Sequence, residues 1–577
     1  MEFVCYDIKS NDFEAAGAAS SAIKEQLKRI GADAESIRRT MIAAYEAEMN
    51  VVIHARGGRL EASLCDSAID VDVIDEGPGI PDIELAMKEG FSTASSEARA
   101  LGFGAGLGLP NIKKSSDRLR VTSRVSEGTR VSFTVFLKRG STCAPNVISL
   151  VASTEKCRDC RRCLAACPTQ AVRVRDGRPT VLEHLCVDCT ACISVCAPKA
   201  LTMRQDISSL DDLRSPGDMV IAVPPAFLAG CGAGYSPSRV VEGLRALGFA
   251  DVITVAPFEQ ALRQATVALA HENAAPEEGR RELPIIAPVC PAVVNLIELR
   301  FPSLIPQLAP FESPWEALQA AQGERPVAYV VSCPSQRSAL VSQEVGGRED
   351  SCVHPGAVYL TPESVRGPVM ARLAAEGRDS VAAALAGTIA GSPRQPSESA
   401  LQSDESARNN DSALHAPALR APDPTEVVSP LTVTGMDHVI AVLEQLENGL
   451  LTDVTVVEPY ACAGGCFGSP LLSVDFHVAT HRWAQDRDAP SAREDAPAPS
   501  PRRRPFAARP GIRLDSNMGR AIERLGRLQA LARALPGKDC GTCGAPTCAA
   551  LAEDVVMGRA TADLCPYFEK EKEALNP

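Results

Sequence analysis

Cysteine spacing constrains this chain more than any other feature. Cys157-x2-Cys160-x2-Cys163-x3-Cys167-Pro168 is followed by Cys186-x2-Cys189-x2-Cys192-x3-Cys196, and a further group, Cys540-x2-Cys543-x4-Cys548-x16-Cys565, stands near the C-terminus. The chain has 21 cysteines in 577 residues and only 8 histidines. Disulfide scaffolds are small and secreted, whereas tight cysteine groups in a large chain favour metal ligation in a reducing compartment. Met1–Ser10 lacks a basic-then-apolar leader pattern, so a cytoplasmic location is the expectation. No uninterrupted apolar run reaches the ~18 residues of a membrane span. A net charge of −13 opposes a phosphate-backbone partner. Neither a membrane nor a nucleic acid is therefore an expected partner.

The doubled run fits a bacterial ferredoxin with two [4Fe-4S] clusters. Three closely spaced thiolates wrap one cubane face, and the fourth cysteine of each run reaches the other cluster. Cys157, Cys160, Cys163 and Cys196 are thus assigned to one cluster, and Cys167, Cys186, Cys189 and Cys192 to the second. Two structural zinc sites are the alternative, although zinc has no use for this exchange pattern. Ala197 stands between Cys196 and Pro198, a departure that keeps the ligands. The C-terminal group follows a helical stretch, Met518–Leu535, and has glycines at Gly537, Gly541 and Gly544. Leu535-Pro-Gly-Lys-Asp-Cys-Gly-Thr-Cys-Gly-Ala-Pro-Thr-Cys resembles the small four-iron domain of corrinoid iron–sulfur proteins and Rnf-type subunits. Cys540, Cys543, Cys548 and Cys565 would hold a third [4Fe-4S] cluster, with a zinc ribbon as the alternative.

At the N-terminal end, Ile37–Ala55 reads as an amphipathic helix that places Glu46 and Asn50 on one face. Strands follow at Leu60–Cys65 and Ala68–Ile74, then Asp75-Glu-Gly-Pro-Gly-Ile, then the glycine-rich run Leu101–Leu109 before a helix at Pro110. This order resembles the GHKL ATPases, and most closely the anti-sigma-factor serine kinases. The resemblance implies ATP and Mg²⁺ as ligands. It gives Glu46 the polarising of the attacking group and Asn50 the Mg²⁺. Asp75 would accept a hydrogen bond from adenine, with Gly77 and Gly79 shaping that pocket. Gly102, Gly104, Gly106 and Gly108 would bring backbone N–H groups to the phosphates. It also implies a protein substrate and a homodimer. Residues 1–53 hold no histidine, so a hydroxyl on another protein is the expected acceptor.

Between the cysteine-rich segments, strands and helices alternate in an α/β pattern: Met219–Val223, Ser238–Leu247, Val252–Val255, Phe258–Leu269, Ile285–Ala287, Ala292–Phe301 and Val327–Val331. Cys290, Cys333, Cys462 and Cys466 stand at element ends and could converge on one site. Residues Val220 to about Pro470 resemble the large-subunit domain of [FeFe] hydrogenases. By that resemblance these four cysteines hold a four-iron cluster, and Cys466 bridges to a two-iron unit in active enzymes. Here Val289, Gln336 and Ala339 replace the family's proton-relaying cysteine, ligand-binding lysine and relaying glutamate. Valine and alanine relay no proton, so fast hydrogen turnover and a bound two-iron unit are not expected. Cys5, Cys65, Cys143, Cys231 and Cys352 lack ligand spacing.

The expected architecture is a multidomain mixture of α/β and α+β folds. A GHKL α/β sandwich spans 1–140 and a ferredoxin-like segment 150–205. A hydrogenase-like α/β domain spans 215–480, with a disordered insertion near 388–431. A proline-rich linker at 486–510 leads to a small helical iron–sulfur domain at 515–570. The functional expectation is a redox-sensing regulator with a serine/threonine-kinase-like output, and a redox partner protein follows from it. An electron-transfer oxidoreductase is the alternative.

Overall fold

The computed structural model describes residues 2–13, 15–65, 68–93, 106–137, 148–207, 210, 213, 216–231, 235–273, 283–344, 357–388, 430–451, 453–486, 497–509, 511, 513–515 and 517–568. In the first domain, strands β1 (Glu2–Lys9), β2 (Gly57–Leu64), β3 (Ala68–Asp75), β4 (Arg118–Arg124) and β5 (Gly128–Phe136) form an antiparallel sheet of order β1-β2-β3-β5-β4. Alternate residues Leu60, Ala62, Leu64, Ile69, Val71 and Val73 are buried, the period-two pattern of a sheet covered on one face. Helices α1 (Ala18–Ile30), α2 (Ala34–His54) and α3 (Gly108–Ser115) supply the cover. The long helix begins a turn earlier than Ile37. Asp33 caps it, accepting from the backbone N–H groups of Glu35 and Ser36.

The doubled cysteine segment is built twice over. Strands β6 (Leu150–Ala152) and β9 (Leu201–Met203) pair, as do β7 (Val172–Arg175) and β8 (Arg178–Val181), with short helices α4 (Arg162–Ala166) and α5 (Ala191–Ser194). Left-handed residues recur at matching places after the cysteines. Asp159 and Asp188, Arg161 and Thr190, and Gln170 and Lys199 all have φ between 50° and 70°.

The third domain carries two parallel sheets. One has the order β11 (Asp251–Thr254), β10 (Val220–Val223), β13 (Val327–Val330), β14 (Val358–Leu360). The other has the order β12 (Ile285–Ile286), β16 (Val456–Tyr460), β15 (Leu431–Thr434). The strands expected from alternation fall within a residue or so of those observed. Helices α6 (Pro291–Arg300) and α7 (Pro334–Glu344) leave the ends of β12 and β13. The expected insertion near 388–431 lies almost wholly outside the described residues. Among the described residues no helix is long and apolar enough to cross a membrane.

Helices α8 (Met518–Ala534) and α9 (Cys548–Val556) make up the C-terminal domain. This domain is not a satellite on a tether. Ala521, Ile522, Leu525, Leu528 and Leu531 of α8 join Ile23, Leu27 and Ile30 of α1 in one continuous core. A second core joins the dicluster segment to the β12-β16-β15 sheet and α6. The stretch expected as a disordered linker is also corrected, for residues 497–509. Ser500 accepts from the Glu312 N–H, while the Arg502 and Arg509 N–H groups donate to Pro310 and Glu298. Arg502 also pairs with the nearly buried Glu316 at 3.2 Å and lies over the Phe506 ring. These arginines satisfy acids in the third domain that would otherwise be buried alone, which holds the segment down despite its prolines.

Candidate cluster centres and nucleotide site

Cys157, Cys160, Cys163 and Cys196 line one cavity together with Val174, Pro179 and Leu201, the grouping assigned from the spacing. The left-handed residues after the cysteines turn backbone N–H groups toward sulfur. Asp159 and Asp188 donate to Cys157 and Cys186 at 3.4 Å, and Ala171 and Ala200 donate to Cys167 and Cys196 at 3.2 Å. Burial pushes Cys163 up to about 11 and Cys189 up to about 12. Neighbouring cysteines add to the rise in both. Thiolates this crowded and this dry need a cationic partner, which an iron core supplies. Among the described residues no three His, Cys, Asp or Glu side chains are grouped as a site for one metal ion. Cys157, Cys160, Cys163 and Cys196 surround shared space, and this all-thiolate donor set fits a cluster.

Cys290, Cys333, Cys462 and Cys466 follow β12, β13 and β16 at the carboxyl ends of parallel strands, where crevices form between sheets. They line one cavity with Ser332, Gln336, Tyr460 and Ser469. Burial raises all four thiols, Cys462 to about 11. Gln336 is buried. Its Oε1 accepts from the Ser332 N–H at 2.8 Å, and its Nε2 reaches Cys466 Sγ at 4.0 Å. Thr190 Oγ1 lies 3.8 Å from Cys462 Sγ, so the dicluster segment abuts this cavity directly.

In the C-terminal domain Cys548 opens α9, and its N–H donates to Asp539 Oδ1 at 2.6 Å. Cys565 is buried and Cys540 exposed. Burial raises Cys543, with Cys565 and Cys540 among its charged neighbours, whereas the Thr542 hydroxyl lowers Cys540.

In the first domain Glu46 and Asn50 of α2 face the start of α3. A Cβ on Gly108 would lie 3.1 Å from Asn50 Oδ1 and 3.4 Å from Glu46 Oε2, so a larger residue there would press on both side chains. Burial raises Glu46 above the usual carboxylate range, and a hydrogen bond from Asn111 opposes the rise. Asn111 Nδ2 donates to Glu46 Oε1 at 2.6 Å. The sequence reading missed this residue, although its place one turn into the helix after the glycine run was a usable signal. Asp75 Oδ1 accepts from the N–H groups of Gly77 at 2.7 Å and Thr129 at 3.1 Å. Gly79 has φ +74° and Gly106 φ +76°. Gly102 and Gly104 lie outside the described residues, as do Cys143 and Cys352.

Four family models match four successive parts of the chain. Residues 36–139 match the histidine kinase-, DNA gyrase B-, and HSP90-like ATPase family, and 149–197 a 4Fe-4S dicluster domain. Residues 218–325 match the iron only hydrogenase large subunit, C-terminal domain, and 535–567 an Fe-S cluster family. An anti-sigma F factor of Caldanaerobacter subterraneus subsp. tengcongensis is 36% identical over 110 residues, 18% of this chain and 73% of that protein. The serine/threonine-protein kinase RsbT of Bacillus subtilis is 29% identical over 125 residues, 21% of this chain and 88% of that protein. The corrinoid/iron-sulfur protein large subunit of Moorella thermoacetica is 49% identical over 43 residues, 7% of this chain and 10% of that protein. A solved [FeFe]-hydrogenase HydA1 from Chlamydomonas reinhardtii aligns at 16% identity and a TM-score of 0.31, over 47% of this chain and 84% of that one.

Fold and matches together define a multidomain iron–sulfur protein fused to an ATPase domain. Through that first domain the chain belongs to the histidine kinase-, DNA gyrase B- and HSP90-like ATPases, alongside the anti-sigma F factors.

Proposed function

We propose that this chain is a redox-responsive regulator, in which the state of its clusters sets the rate at which the first domain moves the γ-phosphoryl group of ATP to a hydroxyl on a partner protein. Phosphoryl transfer asks mainly for positioning and charge neutralisation. In this reading Glu46 polarises the attacking hydroxyl or water and Asn50 holds Mg²⁺. Asp75 takes the adenine amino group in the pocket shaped by Gly77 and Gly79. Gly106 and Gly108, with Gly102 and Gly104 before them, offer backbone N–H groups to the phosphates. Clusters held by the four cysteine sets supply one-electron storage.

The observation that carries the proposal is the shared core of α8 and α1. Because α1 also packs on α2, a rearrangement around Cys540, Cys543, Cys548 and Cys565 has a packed path to Glu46. Exchange of Glu46 for glutamine is expected to leave ATP binding intact while turnover falls by about 10²-fold or more. Undiminished turnover in Glu46→Gln would remove the catalytic assignment.

An electron-transfer oxidoreductase is the second reading, favoured by the contact between Thr190 and Cys462 that brings two cysteine sets together. Val289 and Ala339 offer no proton relay to the Cys466 cavity, which weighs against hydrogen turnover. Hydrogen uptake or evolution by anaerobically matured protein would decide for this reading.

A further inference from the structure

The two halves of the dicluster segment are near copies, and matching residues in them touch different neighbours. Thr190 follows Cys189, is left-handed with φ 70°, and meets Cys462 of the third domain. Arg161 follows Cys160, is left-handed with φ 60°, and meets the C-terminal domain. Its Nη1 donates to the carbonyl oxygens of Gly541 and Thr542, the two residues between Cys540 and Cys543. Asp159 fixes the guanidinium from behind, accepting at 2.9 Å from Nε and at 2.9 Å from Nη2. Arg161 therefore occupies the seam between two cysteine loops of separate domains.

The seam is built closely. Val174 N–H donates to Gly544 O at 3.0 Å, and Thr547 Oγ1 meets Gln170 Oε1 at 3.3 Å. Gly544 has φ +79°, and a Cβ there would stand 2.0 Å from Val174 O, a distance no real side chain tolerates. Beyond it, Asp554 of α9 receives Arg173 Nε at 2.6 Å with both side chains almost wholly buried, and Arg175 Nη2 also at 2.6 Å. Backbone, glycine and ion pairs all hold the Cys540–Cys543 loop against the face that carries Cys160 and Cys163.

From this juxtaposition we infer that the C-terminal cysteine set and the Cys157/Cys160/Cys163/Cys196 set form an electron-exchanging pair across the domain seam, with Arg161 as its positioning residue. The inference rests on the cluster assignments of the proposed function. The step moves one electron: the cluster that loses it is oxidised, the one that gains it is reduced, and no bond or proton changes. A fixed guanidinium beside both loops stabilises the added negative charge on either side. It thereby raises both potentials and eases the repulsion between two reduced clusters. The exposure of Cys540 makes the C-terminal set the face open to an external one-electron donor.

The test uses the full chain, purified and cluster-loaded without oxygen, titrated with dithionite and followed by low-temperature electron paramagnetic resonance. Cys543→Ser identifies the C-terminal signal by its loss, and iron content counts the clusters. Wild-type protein is expected to show mutual spin broadening between that signal and one dicluster signal when both are reduced. Arg161→Gln, which keeps hydrogen-bond donors but removes the charge, should lower both midpoint potentials. A tenfold change in either one-electron equilibrium would read as about 59 mV. Arg161→Lys should restore most of the shift, and the second dicluster signal should stay in place. Two occupied clusters with no broadening and unmoved potentials in Arg161→Gln would overturn the inference alone. Iron content and spectra unchanged by Cys543→Ser would overturn the cluster assignment and the inference with it.

Discussion

Glu46, the base of the proposed phosphoryl transfer, shows how a single contact tunes a carboxylate. Burial lifts its carboxyl above the ordinary range, and the 2.6 Å bond from Asn111 pulls it back down. As the proposed base Glu46 acts only when ionised, so turnover should fall on the acid side at a higher pH than an ordinary carboxylate would give. Exchange of Asn111 for alanine removes the lowering contact and moves that limb further up. The same change frees the carboxylate to rotate, and kcat is expected to drop by roughly tenfold to a hundredfold with KM for ATP little altered. Exchange for glutamine should recover part of the loss. A pH–rate profile of Asn111→Ala superimposable on wild type would show that the contact does not orient the base. Gln336 makes a different point. It stands where the hydrogenase pattern has a lysine, spends one side-chain end on Ser332 and turns the other toward Cys466. A cavity so lined can hold a cluster without offering a charged donor to a further ligand.

At the scale of elements, the sequence revealed whatever depends on near neighbours. The i, i+4 placement of Glu46 and Asn50, the strand before Asp75, and both cysteine runs are local patterns. Each is carried by spacing along a single helix, strand or loop, which is why the sequence exposes it. The convergence of Cys290, Cys333, Cys462 and Cys466 was legible as strand-end placement and through the hydrogenase resemblance, not from local spacing. What brings them together is the order of two parallel sheets. The docking of α9 was invisible, since Arg173 and Asp554 meet across 381 residues of sequence. Nothing near either residue marks it as half of a buried pair. The 497–509 segment misled for a related reason: its prolines and arginines read as linker, yet distant acids at Glu312 and Glu316 hold it. Removing one member of a buried ion pair strands the other, at a cost of about 3–5 kcal/mol. Asp554→Ala is expected to lose about that much protection against hydrogen exchange in α9 and β7, with β3 and β5 unaffected. Equal exchange in variant and wild type would mean that the pair does not hold the seam.

In the whole molecule the C-terminal domain is the keystone. It shares a core with the ATPase domain through α8 and an ionic seam with the dicluster segment through α9. The dicluster segment in turn shares a core with the third domain. A smaller link closes the circuit: Lys24 of α1 pairs with Glu447 of the third domain, both side chains 8% exposed. Four modules so joined form one body in which a charge change at a cysteine set has contiguous packing to the nucleotide helix. Coupling between sites requires that each ligand distinguish the same two states. The measurement that bears on this most directly is ATP turnover by anaerobically purified, cluster-loaded protein, poised oxidised and then reduced with dithionite. Turnover is expected to change by at least about fivefold between the two states, the lower end of ordinary allosteric couplings, and that change to disappear in Cys543→Ser. Equal turnover in both states, with hydrolysis intact and clusters in place, would show that the clusters do not set the rate of the first domain.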